Sequence, residues 1–193
     1  MRPTIALVLV AVALAVTVSA RVKVNTGFDP ATDFSQLKVF AWPDDAPGQM
    51  KMALTKDDDP EALRARFEPV IITAVEQELT KKGFRKAAAG EKADFLVAYF
   101  GLVSVSTSGQ TLGQFLPGSV AWGLPPFDQV ATSLKIYEKG SLVIDVMTPA
   151  KQPMWRAVAQ AEVHRDYAAE KRNKRLQDVI ADIIEKFPPK KKS

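Results

Sequence analysis

The chain has 193 residues, 47% hydrophobic and 25% charged, with 26 Lys and Arg against 22 Asp and Glu for a formal net charge of +4. This is too apolar for a disordered chain, and its length suits one domain that buries roughly 70% of its unfolded surface. The absence of cysteine excludes disulfides, zinc ribbons, iron–sulfur clusters and thiol nucleophiles, and the single histidine, His164, excludes a multi-histidine metal site.

Residues 1–20 differ from the rest. Arg2 supplies a positive charge, an apolar run from Ile5 to Val18 is broken only by Thr17, and Val18-Ser19-Ala20 ends it in small or slender residues. A short basic start, an apolar stretch and a small-residue exit predict a secretory signal peptide. The run falls short of the ~20 apolar residues that span a bilayer. The expectation is therefore cleavage near Ala20 and a soluble exported chain, most simply in a bacterial periplasm. Export and the small charge excess argue against nucleic acid as a partner. Lys171-Arg172-Asn173-Lys174-Arg175 and the basic tail 188–193 read as the solvated start of a helix and a frayed end. Weak attraction to an anionic membrane surface is the alternative for both.

From residue 21 onward, 22–28 places Val22, Val24, Thr26 and Phe28 on one face and Lys23 and Asn25 on the other, and 37–42 alternates likewise. Both predict strands, with a turn at Asp29-Pro30-Ala31-Thr32-Asp33 between them. A polar connection, 43–58, follows. Asp59-Pro60-Glu61 starts a helix, with Asp as cap and Pro in the first turn. Leu63, Phe67, Val70, Ile71, Ala74, Val75 and Leu79 then recur at helical spacing, and Lys81-Lys82-Gly83 closes the element. Pro69 predicts either a kink or a separate first piece.

Residues 93–105 are apolar on both faces, as in a central covered strand. Two further strands are expected at 130–137 and 142–148, joined by a hairpin turn at Glu138-Lys139-Gly140. In 154–163, Trp155, Ala157, Ala159, Ala161 and Val163 oppose Arg156, Gln160 and Glu162, which predicts one buried and one wet face. Leu176, Val179, Ile180, Ile183, Ile184 and Phe187 form a helical stripe ended by Pro188-Pro189. The order β-β-α-β-β-β-β-α predicts an α+β two-layer sandwich, a mainly antiparallel sheet with both helices on one face, in a single domain over 21–187.

Several segments carry a family resemblance: Asp33-Phe34-Ser35 with Val39-Phe40-Ala41-Trp42, Lys82-Gly83-Phe84, Ala93-Asp94-Phe95, Gly140-Ser141-Leu142-Val143-Ile144-Asp145, Trp155-Arg156 and Phe187-Pro188-Pro189. In this order, across nearly all of the chain after residue 20, they resemble the bacterial envelope family called domain of unknown function 4136. The resemblance implies an exported protein, often a lipoprotein, with no assigned activity and no known catalytic residues. The chain departs from it in having no cysteine at the end of the signal, so it is not lipidated there.

Candidate sites are few. His164, beside Arg165 and Asp166, could serve a hydrolase only with a nucleophile and an orienting carboxylate; Asp145 and the serines of 104–108 are the available companions. No Gly-x-Ser-x-Gly pattern marks a serine, and the histidine reads as a surface or packing residue. Asp57-Asp58-Asp59 lacks the ligand spacing of a calcium loop and reads as a helix cap after an acidic turn; Asp44-Asp45 reads as a polar turn. Trp42, Phe95 and Trp155 read as core. No catalytic, cofactor or metal site is expected.

The unusual segment is uncharged from Phe95 through Phe127, 33 positions. Its second half, within a long connection over 106–128, mixes Gly and Pro with Phe115, Leu116, Trp122 and Phe127, which are the candidate partner contacts. The alternative is that these side chains fold over the open face of their own sheet. The leading expectation is a non-enzymatic binding or interaction module that engages an envelope protein or lipid through this segment or an exposed sheet edge. The second is a carrier of a small apolar, lipid-like ligand, and the third a hydrolase using His164.

Overall fold

Alternating Val, Ile, Ala and aromatic residues draw the strands into one mixed sheet. The computed structural model describes residues 22–53, 59–104, 139–162 and 167–190. In chain order these form β1 (Lys23–Phe28), a short 3-10 turn (Phe34–Gln36), β2 (Val39–Ala41), β3 (Gly48–Ala53), α1 (Pro60–Lys81), β4 (Arg85–Lys86), β5 (Phe95–Ser104), β6 (Lys139–Met147), β7 (Pro153–Glu162) and α2 (Ala169–Glu185). The strand order is β1-β7-β6-β5-β2-β4, with β3 also paired to β5. β1, β7, β6 and β5 are antiparallel neighbours.

β2 and β3 run parallel to β5 and follow one another along the same side of it, Phe40 opposite Phe95 and Gly48 opposite Tyr99. A parallel neighbour needs a crossover, and α1 provides it between β3 and β5. The α+β class, the mainly antiparallel sheet and the placement of both helices on one face are as the sequence predicts. α1 contributes Ile71, Ala74, Val75 and Leu79, and α2 contributes Val179, Ile180, Ile183 and Ile184, to one core with Val97, Tyr99, Ile144, Val146, Trp155 and Ala157 of the sheet. Each such Ile, Val or Leu contributes about 1.5–3 kcal/mol by leaving water. Phe187 closes this core: its ring lies 5.2 Å from Trp155, 5.4 Å from Phe84 and 5.8 Å from Phe95, centroid to centroid.

The helix α1 begins as expected, with Asp59 accepting the Glu61 N–H at 2.9 Å. Gly83, at φ 89°, takes the left-handed turn beyond the cap. Pro69 lies inside an unbroken helix. Pro69 and Ala65, the residue whose carbonyl loses its donor, are both exposed, so water can satisfy that carbonyl.

Four readings change. The polar connection contains β3, whose Gly48–Ala53 pairs with β5. Lys139 and Gly140 belong to β6 instead of a turn, with Gly140 opposite Val103. Phe187 lies past the α2 cap at Lys186, outside the helical stripe. The face of β7 expected to be wet is buried at Arg156, which is 1% exposed. The strand predicted at 130–137 lies outside the described residues.

Candidate functional site

The sheet register sorts its side chains into rows. On the helix side, Val97, Val146, Trp155 and Phe28 share one row, and Tyr99, Ile144, Ala157 and Thr26 the next. On the opposite side run Ala98, Asp145, Arg156 and Gly27, and beside them Phe100, Val143, Val158 and Asn25. Asp145 and Arg156 are thus direct cross-strand neighbours on the face away from both helices.

Their side chains form a two-pronged ion pair. Arg156 Nε donates to Asp145 Oδ1 at 2.6 Å and an Arg156 terminal nitrogen to Oδ2 at 2.6 Å, with Asp145 0% exposed. Removal from water pushes the Asp145 carboxyl up, and the guanidinium opposes that rise. Both carboxylate oxygens accept from Arg156, which makes Asp145 one half of a buried cross-strand tie. Sequence alternation missed the pair because it scored Arg156 by polarity alone. The signal that could have found it is one acid and one arginine at the same depth of two strands predicted to pair.

The other well-placed acidic side chains are also engaged by named partners. Glu68, half-buried on α1, accepts from Arg64 Nε at 3.0 Å and from the buried Tyr99 hydroxyl. Burial pushes the Tyr99 phenol up, and the Glu68 carboxylate adds to that. Glu76 accepts from Trp42 Nε1 at 2.8 Å and Lys86 Nζ at 2.6 Å. Glu91 takes Arg85 on both oxygens and the Ala88 N–H, and the Arg85 guanidinium holds it down to about 2. These arrangements tie elements together: α1 to β5, β2 to α1 and β4, and β4 to the following turn. Among the described residues no cluster of three or more His, Asp or Glu could hold a metal ion.

Trp42 is half-buried, and Phe95 and Trp155 are fully buried in the core, as read from sequence. Asp44 and Asp45 are exposed, with Asp45 2.9 Å from Lys151 Nζ. His164 and the candidate contacts Phe115, Leu116, Trp122 and Phe127 lie outside the described residues. The structure does fix where their segment is rooted: it leaves β5 after Ser104 and returns at Lys139 of β6, the neighbouring strand.

At the sheet's margins, β1 forms one end of the strand order and β4 the other. Among the described residues no strand pairs with the outer side of β1. No described helix is long and apolar enough to cross a membrane.

A family model described as a domain of unknown function, DUF4136, matches residues 24–189. No curated protein matches the chain. The chain is similar in structure to a PDZ domain protein from Parabacteroides distasonis, with 15% identity and a TM-score of 0.51 over 89% of this chain, which spans 37% of that one. It is also similar to a DUF4136 family protein from Bacteroides thetaiotaomicron, with 15% identity and a TM-score of 0.45, covering 85% of this chain and 93% of that one.

Proposed function

The chain belongs to the DUF4136 family, whose function is unknown, and from that starting point we propose that it is an exported cell-envelope protein acting as a non-catalytic binding module that docks a partner protein along its β1 edge. The observation that carries this reading is the asymmetry of the two ends of the strand order; β3, paired to β5 alone among the described strands, is a third margin and leads into α1. β4 is two residues long and consists of Arg85 and Lys86, whereas β1 is six residues long with Lys23 as its one charged side chain. Short strands and charges are how sheets guard a free edge. β4 has both defences and β1 has little of either. An open row of backbone N–H and C=O groups is what an extended segment of another protein pairs with.

The signal-like residues 1–20 support export. The engagement of Asp145, Glu68, Glu76 and Glu91 in ties between elements supports a non-catalytic role, since none of the four is left poised as a base in a cleft.

The test is a photo-crosslinking amino acid at exposed Lys23 or Thr26 on β1, with exposed Gln77 on α1 as the control, in cells separated into periplasmic and cytoplasmic fractions. The expected result is a discrete protein adduct from the β1 positions, absent at Gln77, on a periplasmic chain lacking residues 1–20. Equal adducts at all three positions, or none, overturn docking at this edge. A cytoplasmic chain retaining residues 1–20 overturns export.

A further inference from the structure

The backbone bonding of β1 decides which of its groups face outward. Asp29 continues the β1–β7 register past the Phe28–Trp155 pair, and its N–H donates to the Met154 carbonyl at 2.9 Å. Alternate residues of an antiparallel ladder bond in this way, so Lys23, Asn25 and Gly27 turn their backbone groups toward β7 as Asp29 does. Val24, Thr26 and Phe28 therefore hold their N–H and C=O groups toward the outer side, where no described strand meets them. Of these three, Val24 and Phe28 are half-buried and Thr26 is exposed.

We propose that the partner at this edge is a second copy of the chain, its β1 running antiparallel about a two-fold axis at Thr26. Given docking at β1, on which this inference rests, what singles out a copy is that the edge matches itself. In this register Thr26 lies opposite Thr26 of the copy, and Val24 of each chain lies opposite Phe28 of the other. Pairing thus sets one half-buried apolar side chain against another. Exposed Lys23, the one charged residue of β1, lies opposite Asp29, the acid that follows the other strand. Asn25 lies opposite Gly27, which adds no bulk. Pairs of these kinds directly across a ladder are stabilising, and like charges in the same place are not.

Asp29 is fixed at the end of its strand: Oδ1 accepts the Ala31 N–H at 2.9 Å and Oδ2 the Thr32 hydroxyl at 3.2 Å. Each carboxylate oxygen retains a further acceptor site for a lysine. Neighbouring registers lose the match. A two-fold axis at Asn25 sets Lys23 opposite Gly27. An axis at Gly27 sets Val24 opposite Pro30, which has no N–H for the ladder. Pairing about a two-fold uses the same edge of both chains, so it closes at a dimer. A strand of six residues makes a small interface, below the ~1,200 Å² of standard ones, and reversible association in the micromolar range is expected.

The experiment uses the natural protein purified from cells. Sedimentation across ~1–500 μM is expected to pass from monomer to dimer and go no further. The chain contains no cysteine, so a single introduced one reports on its own position. Mild oxidation is expected to link Thr26→Cys into dimers at least ~10-fold faster than Gln77→Cys on the exposed side of α1, since facing Cα atoms of a ladder lie within disulfide reach. Lys23→Glu sets two acids opposite each other and is expected to weaken the dimer ~10-fold or more, with circular dichroism unchanged. A monomer at every concentration, growth beyond the dimer, equal disulfide rates, or an unmoved dimer in Lys23→Glu each overturns self-pairing. A monomer whose β1 positions crosslink in cells to a different protein overturns the second copy and leaves docking at β1 standing. A monomer with no β1 adduct overturns both.

Discussion

Asp94 and Val39, 55 residues apart, hold each other by two reciprocal hydrogen bonds: the Val39 N–H donates to Asp94 Oδ2 at 2.8 Å, and the Asp94 N–H donates to the Val39 carbonyl at 2.8 Å. The same Oδ2 accepts the Lys38 N–H at 2.9 Å. One carboxylate just before β5 thus fixes the first residue of β2, and with it the parallel pairing that the α1 crossover must reach. The Val39 and Lys38 N–H groups hold the Asp94 carboxyl below the usual carboxylate range.

Asp94→Ala is expected to lower stability at pH 7 by about 1–2 kcal/mol, the worth of two backbone bonds to a charged acceptor at an exposed site. The pH dependence has a definite sign. Because the folded-state value is depressed, the carboxylate's contribution is present above its ordinary value near 3.8 and is lost as pH falls through the depressed one. Urea unfolding at pH 7 and again at low pH checks this: the gap between wild type and variant should close on acidification. A gap that stays constant would mean the charge contributes nothing.

The Asp145–Arg156 pair makes a contrasting prediction. Removing one partner leaves a buried charge alone, so Arg156→Met or Asp145→Val singly should cost about 3–5 kcal/mol. Replacing both with apolar residues removes the desolvation penalty along with the attraction. The double variant is expected to recover to within about 1 kcal/mol of wild type or to exceed it. Denaturant midpoints of the four proteins form a double-mutant cycle. A double variant as unstable as the sum of the singles would show that the site needs the charges themselves.

These two acids mark the limit of what could be read from sequence. The elements with their own periodicity were legible: β1, α1 with its Asp59 cap, the central β5, and the stripe of α2 from Leu176 to Ile184. β3 was hidden because Gly48–Ala53 carries a glycine, a glutamine and a lysine, and is strand only through its parallel pairing with β5, a contact set by tertiary structure. Pro69 looked disruptive because sequence does not say that Ala65 faces water. Arg156 looked solvated because its polarity was read strand by strand, without Asp145, its partner at the same depth of the neighbouring strand. The β1 edge was legible as a strand but not as an edge, since strand order is a property of the whole sheet.

Gly48 offers a test of the β3–β5 contact. A Cβ at this position would meet the Tyr99 backbone oxygen and the Tyr99 ring. The backbone oxygen is fixed in the ladder, and the ring cannot swing away, because it is fully buried and its hydroxyl is held by Glu68, itself held by Arg64. Gly48→Ala should therefore cost about 1–3 kcal/mol, as overpacking does, although alanine normally stiffens a chain favourably. Thermal unfolding would report this as a fall of several degrees. An unchanged midpoint would mean that β3 can move off β5 at little cost, and that the pairing at Gly48 is weak.

The last prediction concerns how the two helices are joined at their C-terminal ends. α2 has no basic residue in its own last turn. Lys82, the cap residue of α1, reaches across instead, its Nζ donating to the Glu185 carbonyl at 3.0 Å and the Phe187 carbonyl at 2.6 Å. A cation at this position meets the negative end of the α2 dipole and satisfies carbonyls that the helix itself leaves free. It also fixes the backbone of Phe187, whose ring closes the aromatic core. Lys82→Met keeps the apolar stem and removes the donor, and should cost about 1 kcal/mol. The loss should concentrate at the end of α2, seen as faster amide hydrogen exchange around Ile184–Phe187 than around Ile71–Val75. If exchange quickened equally at both places, Lys82 would be acting on the fold as a whole and not as a cap borrowed from the neighbouring helix.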